Sequence, residues 1–338
     1  MPTLEITTHL GCALACRFCP QDRLVKSYPR DEPRRLALAS FRQVLDALPR
    51  HVRIDLSGMA EPWLNPQATA MAVAAFEQGR IVALYTTLQG MQPDDATLLI
   101  GRFGDRIAPD APWVIHLPDA DGHMTGWRPS ATYRETLTRF LGFHRTRPRP
   151  GLSFMTMGSD GAVARPLRDL LPDLLPDRLP PFQGISRAEN LDRADFRPGA
   201  LLDAVRRDQA LLCASTPFFD HNVMLPNGDV LLCCMDYGRR HVIGNLFRQS
   251  YEAIHAGAAM GAIRVQAMTP SSGDLLCRSC HNAACLTQPE GTHWRLSETT
   301  SWTPPAVAAE PAPIQNAAVT AGPRARLRHR VLNRLLSL

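Results

Sequence analysis

Residues 10–21, LGCALACRFCPQ, place three thiols within eight positions of one another, at Cys12, Cys16 and Cys19. The preceding TLEITT (3–8) alternates in the manner of a strand, so the cysteines fall on the loop that leaves its C-terminal end. The chain has nine cysteines, and none lies between residues 20 and 212. The other six, Cys213, Cys233, Cys234, Cys277, Cys280 and Cys285, fill the second half. Thiols that served only as small core residues would scatter. Two sets point instead to two metal centres, because a reducing compartment disfavours structural disulfides in a chain of this size.

Beyond the first loop, strands and amphipathic helices alternate. VRIDLS (52–57), RIVALYTT (80–87), WVIHL (113–117) and GLSFMTM (151–157) read as strands, and a sixth is expected near Phe182–Ser186. Between them, Ser40 is expected to cap a helix carrying Phe41, Val44, Leu45 and Leu48, and Asn65-Pro66 to open one that ends at Gly79. Pro93 and Ser130 are expected to start two more, and the prolines of 172–181 imply turns. Strand–helix alternation at this spacing implies parallel βα units and an open or closed α/β barrel. In HNVMLPNGDVLLCC (221–234), Asn227-Gly228 between alternating runs signals a two-residue hairpin. A helix over about 250–260 is expected after it.

The spacing C-x3-C-x2-C, with Phe18 before the last cysteine, resembles that of the radical SAM (S-adenosylmethionine) superfamily. DLSGMAEPWLNP (55–66) is similar to that family's second-strand segment and LYTTLQG (84–90) to its third, with Thr87 in place of an Asn. The resemblance implies a 4Fe–4S cluster held by Cys12, Cys16 and Cys19, with one iron left open for the amino and carboxylate groups of SAM. It also implies SAM contacts at Phe18, Ser57, Gly58, Met59, Ala60, Glu61, Thr86 and Thr87, with Glu61 on the methionyl ammonium. Met59 and Ala60 stand where many relatives carry glycine or a second acid.

Cys213, Gly228, Cys233 and the pair Cys277/Cys280 resemble the SPASM and shorter twitch extensions of that superfamily, as does VIGNLFRQSYEAI (242–254). This implies one auxiliary 4Fe–4S cluster on Cys213, Cys233, Cys277 and Cys280, with Cys234 and Cys285 as spares. The expected fold is α/β, a partial (β/α)6 TIM-like barrel with a small C-terminal α+β domain of hairpin plus helix. The expected division is a core at 1–200, an auxiliary-cluster domain at 205–298, and a Pro/Ala-rich linker and basic tail at 299–338.

The implied function is reductive cleavage of SAM to a 5′-deoxyadenosyl radical that abstracts hydrogen from a substrate. An electron donor such as flavodoxin or ferredoxin is implied with it. No domain for a leader peptide is evident at the N-terminus, which favours a small molecule such as a sugar, cyclitol or natural-product intermediate over peptide maturation. Zinc is the competing metal: thiolates two to four residues apart are its commonest protein ligands, and His9 offers a fourth. Both cysteine sets would then build an interaction module.

Composition narrows the classes. The 338 residues are 45% hydrophobic and 20% charged, enough for a large core. The formal charge is +5, and the tail accounts for all of it through Arg324, Arg326, Arg328, Arg330 and Arg334. The body is thus neutral and gives no footprint for nucleic acid. Lys26 is the only lysine, which argues against Schiff-base chemistry. No export signal or long apolar run is evident, so no transmembrane segment is expected and the cytoplasm is the expected location. Further polar candidates at expected strand ends are His116, Asp119, Arg187 and Asn190, each with solvated-loop or capping alternatives.

Overall fold

The structure, a computed structural model, describes residues 1–287 except 159, 172–173, 176–177, 181–183, 193, 195, 197–200, 203–205 and 272, together with 295–296. Its centre is an eight-stranded sheet. In chain order the strands are β1 (Thr3–Ile6), β2 (Arg53–Leu56), β3 (Val82–Thr86), β4 (Trp113–Leu117), β5 (Leu152–Thr156), β6 (His221–Met224), β7 (Asp229–Leu231) and β8 (Val242–Asn245). Their order across the sheet is β8-β7-β6-β1-β2-β3-β4-β5. The six from β6 to β5 are mutually parallel, and β7 and β8 add antiparallel at the edge.

Side-chain alternation gives this sheet two different faces. Leu4, Ile6, Ile54, Leu56, Leu84, Ile115 and Leu117 are buried in one core with Phe41, Met71, Phe76, Leu99 and Phe140. These come from α2 (Leu38–Ala47), α3 (Ala68–Glu77), α4 (Pro93–Phe103) and α5 (Ala131–Thr146), the helices between the strands; α1 is Gln21–Ser27. The register puts Glu5 opposite Asp55, Tyr85 opposite Val114, His116 opposite Met155 and Thr3 opposite His221. Thr3, Glu5, Asp55, Tyr85, His116 and His221 therefore share the other face, with Val114 and Met155 among them.

Several local expectations change. Helix α2 begins at Leu38 with Ala37 as its cap, so Ser40 lies inside it; the Leu38 N–H donates to Gln67 Oε1 (3.0 Å), which does the work of a cap. Asn65 opens no α-helix. Its amide donates to the carbonyls of Thr8 and Leu36 (3.0 and 2.8 Å), its oxygen accepts from Gln67 N (2.9 Å), and α3 starts at Ala68. The helices expected at Pro93 and Ser130 form, with the Ser130 side chain accepting from Tyr133 N. The helix expected at 250–260 is two, Tyr251–Ala256 and Ala258–Met268, separated by extended Gly257.

The hairpin turn is longer than two residues. Leu225 N donates to Asp229 O (2.8 Å) and Gly228 N to Leu225 O (2.9 Å), and Gly228 (φ +86°) is left-handed while Asn227 is not. A Cβ on Gly228 would meet the Phe247 ring at 2.6 Å, so both conformation and space demand glycine.

The sixth expected strand is only Gly184–Ile185. It pairs in parallel with Leu201–Leu202, apart from the main sheet, while Phe182 lies outside the described residues. The expected tail at 299–338 also lies outside them.

Candidate functional site

The loop after β1 is tied down along its length. Ala15–Cys16 pairs antiparallel with Met124–Thr125 of the loop after β4, and Arg17 N donates to His123 O (2.9 Å). Cys19 N donates to Cys16 O (3.0 Å), closing the turn between the second and third thiols. His123 N and Nδ1 both reach Asp119 Oδ1 (3.1 and 3.0 Å), so Asp119 shapes the loop that braces the cysteines.

Cys12, Cys16 and Cys19 line one cavity with Ser57, Gly58, Met59, Ala60, Glu61, Thr86 and Thr87. Segments from the ends of β1, β2 and β3, separated by tens of residues in sequence, thus converge at one point. Tyr85, His116, Arg187 and Tyr237 share the wall. Phe18 does not line it. Its ring stacks on Phe196 (5.2 Å between centroids) and tilts against His123 (5.0 Å), locking the loop from behind.

Glu61 is the most constrained group in the wall. Oε1 accepts from Trp63 N (3.1 Å) and Thr86 Oγ1 (2.7 Å), and Oε2 accepts from Thr87 N (2.6 Å) and Thr87 Oγ1 (2.7 Å). It caps the short 3-10 turn Pro62–Leu64 and at the same time faces the cavity. Burial pushes its pKa up, against the pull of these four donors. Gly58 (φ +61°) lets strand end meet strand end: a Cβ there would lie 2.3 Å from Thr7 Oγ1, which accepts from Met59 N (3.1 Å).

Around the third thiol, Gln21 Nε2 donates to Cys19 Sγ (3.2 Å), and Tyr237 Oη lies 3.3 Å from the same sulfur. Burial, and then the Arg187 charge, push His116 down to about 4, so its ring is neutral at pH 7.

The second cysteine set also converges. Cys213, Cys233, Cys234, Cys277 and Cys280 line a cavity of about 130 Å³ together with His221 and Met235. Cys213 ends a short strand, Leu211–Cys213, that pairs with Ala283–Thr287. Cys233 and Cys234 follow β7, and Cys277 lies in a 3-10 turn, Leu276–Ser279, that Cys280 ends, with Cys280 N donating to Cys277 O (3.1 Å). Cys285 is not in this wall; its thiol contacts Gln209 Oε1 (3.2 Å).

A residue not singled out from sequence holds this loop. Arg278, between the cysteine pair, is fully buried and donates to four carbonyls, those of Arg207, Gln209, Gln266 and Thr269 (2.7–3.1 Å). An arginine inside C-x2-C carries no such signal in sequence, because its partners come from two distant segments.

Both thiol sets suit a cationic iron centre. Burial, and secondarily the neighbouring thiols, raise Cys16, Cys233 and Cys277 above the usual thiol range. Crowded, buried thiols resist ionisation in the absence of a cation, and a bound metal reverses that preference.

Residues 213–281 match the SPASM family, described as an iron-sulfur cluster-binding domain. The chain thus carries, in that segment, an iron–sulfur cluster-binding domain similar to SPASM domains. Its fold is similar to that of BtrN in complex with AdoMet and 2-DOIA, at 15% identity and a TM-score of 0.52, over 83% of this chain and 93% of that one. Two fainter likenesses carry no argument. One is anSMEcpe with bound AdoMet (11% identity, TM-score 0.43, 77% of this chain and 82% of that one). The other is Streptococcus suis SuiB bound to precursor peptide SuiA (12%, TM-score 0.40, 82% and 69%). No curated protein matches the sequence itself.

The family match implies an iron–sulfur cluster on residues 213–281. Among the described residues, no helix is long and apolar enough to cross a membrane.

Proposed function

We propose that the chain reductively cleaves S-adenosylmethionine and uses the resulting 5′-deoxyadenosyl radical to take a hydrogen atom from a small polar molecule, a sugar, cyclitol or natural-product intermediate. One observation carries this reading: the cysteine loop, the 57–61 turn and Thr86–Thr87 share one cavity. In it Cys12, Cys16 and Cys19 hold the SAM cluster, and Ser57, Gly58, Met59, Ala60, Glu61, Thr86 and Thr87 form the SAM cradle, with Phe18 behind the loop. Cys213, Cys233, Cys277 and Cys280 hold the auxiliary cluster, with Cys234 beside them.

Bound there, the cluster and SAM supply the radical chemistry, and the chain supplies position and exclusion of water. Glu61, with each oxygen fixed by a backbone donor, holds the methionyl ammonium. Gln21 and Tyr237 steady the sulfur of Cys19. His116, neutral and on the polar sheet face, is placed to accept a hydrogen bond from a substrate hydroxyl.

A polar sheet face bearing Glu5, Asp55, Tyr85 and His116 supports a small hydroxylated substrate, and so does the likeness to a fold solved with AdoMet and 2-DOIA. Electrons come from a flavodoxin- or ferredoxin-like donor. The finer architecture belongs to the same proposal. It comprises a partial (β/α)6 barrel over 1–200, a cluster domain over 205–298 whose hairpin continues the barrel's sheet, and a tail over 299–338.

The test is anaerobic reconstitution followed by dithionite. Brown protein that releases 5′-deoxyadenosine and methionine, faster with a hydroxylated small molecule than with peptides, is the expected outcome. Colourless, zinc-loaded protein with no deoxyadenosine would refute the reading.

A further inference from the structure

The turn Ser186–Asn190 touches both cysteine segments, and Arg187 is its reaching side chain. Three consecutive non-glycine residues, Arg187, Ala188 and Glu189, take left-handed backbone conformations (φ 51°, 52° and 64°). L-residues adopt that region at a cost, and three in a row persist only where surrounding bonds impose them. Here Leu191 N donates to Ser186 O (3.1 Å), while Asn190 Nδ2 donates both to Arg187 O (2.7 Å) and to Met235 O (2.8 Å). Met235 directly follows Cys233 and Cys234, so the turn is anchored on the second cysteine segment.

The side chain then reaches the first. Arg187 Nε donates to Phe18 O (3.2 Å), the carbonyl just before Cys19, while Nη1 stays 3.9 Å from Met235 Sδ. The guanidinium lines the same cavity as Cys12, Cys16 and Cys19. No carboxylate is hydrogen-bonded to it among the described residues, and the groups its charge acts on are Tyr237, Cys234, Cys19 and Glu5, which include a thiol from each cysteine segment.

We propose that Arg187 places a fixed positive charge between the two cysteine-lined cavities and thereby raises the reduction potential of both iron–sulfur clusters. This rests on the function proposed above. A reduced cluster carries one more negative charge than an oxidised one. A buried cation nearby therefore favours reduction, and does so more strongly than it would in water. A single arginine tied by hydrogen bonds to both loops acts on the two sites together, which matters where an electron is taken up at one and returned at the other. Arg187 is thus a positioning residue for charge, neither a ligand nor a catalytic residue.

The experiment compares full-length wild type, R187Q, R187M and R187K after anaerobic reconstitution. It measures iron content and then the midpoint potentials of both clusters by reductive titration followed by electron paramagnetic resonance. The expected result is full iron content with both potentials lowered in R187Q and R187M, and less so in R187K. Wild-type potentials in a neutral variant that retains its iron would overturn the proposal, as would a shift confined to one cluster. Weaker SAM binding at unchanged potentials would assign Arg187 to the nucleotide and overturn it too. If R187Q fails to take up iron, the comparison of R187M with R187K decides, and equal potentials in those two refute the charge effect. A wild-type protein lacking two paramagnetic clusters would instead defeat the functional reading on which this rests.

Discussion

Glu61 shows how a single residue serves fold and site together. Each carboxylate oxygen accepts from one backbone N–H, Trp63 on one side and Thr87 on the other. An amide fits neither way round, because its NH2 must face one of those N–H groups. E61Q should therefore lose about 1–3 kcal/mol of stability through an unsatisfied buried donor. It should also lose SAM uptake by tenfold or more, of the order expected for one charge-assisted hydrogen bond. Thermal unfolding reads the first and SAM-induced change in the cluster's paramagnetic spectrum the second; a stability loss with SAM uptake intact would leave Glu61 as a helix cap alone. Arg278 makes the complementary case. Removing a buried guanidinium that donates to four carbonyls forfeits those four hydrogen bonds, at a cost of about 3 kcal/mol or more. R278Q should lose the auxiliary iron while keeping the N-terminal cluster, as read by iron content and spectra. Glu61 was legible in sequence because it lies in a recognisable segment. Arg278 was not, because its role depends on carbonyls brought up from 207–209 and 266–269.

Among the elements, β1 and β6 are parallel neighbours drawn from distant parts of the chain, and a charged pair spans them. Glu5 Oε1 lies 2.9 Å from His221 Nε2, and Glu5 Oε2 accepts from Ser57 Oγ (3.1 Å). Burial is the largest single influence on each group and opposes both charges. The pairing, with Ser57 and Cys234 added at Glu5, outweighs it, so Glu5 is held below 4.5 and His221 above 6.5. The His221 contribution is complete below 6.5 and is lost as pH rises through its raised folded value. That of Glu5 is complete above 4.5 and is lost as pH falls through its lowered one. Stability supplied by the pair should peak between 4.5 and 6.5 and decline on either side. H221Q should flatten the alkaline decline in thermal unfolding against pH; an unchanged profile would show that the pair is not coupled to folding. Local sequence could not reveal this contact. Periodicity located β1 and β6 as strands, but their adjacency is a long-range choice, as is the Gln67 contact that moved the start of α2 from Ser40 to Leu38. The strand expected near Phe182–Ser186 is present at Gly184–Ile185, and its pairing with Leu201–Leu202 is another long-range choice that local sequence does not reveal.

At the scale of the whole molecule, two sites share one sheet yet have separate walls. The cavity of Cys12, Cys16 and Cys19 and that of Cys213, Cys233, Cys277 and Cys280 have no lining residue in common. This was the most legible feature of the sequence, because the gap between the cysteine sets is visible without any fold. The way the sheet joins them was not, since β6 to β8 continue the core's own sheet through the pairing of β6 with β1. Separate walls on a common frame make a directional prediction. Replacing Cys12, Cys16 and Cys19 together by Ala removes thiols from a loop held by its own backbone bonds to Met124–Thr125 and His123, so the frame should persist. The variant should then retain about half of the wild-type iron, all of it in the SPASM domain, because a cluster depends on its own thiolates rather than on a distant set. It should produce no deoxyadenosine, and its remaining paramagnetic signal should not respond to SAM. A variant that lost all its iron while keeping the wild-type unfolding temperature would show that the two centres assemble as one unit, with the C-terminal thiols unable to hold iron alone.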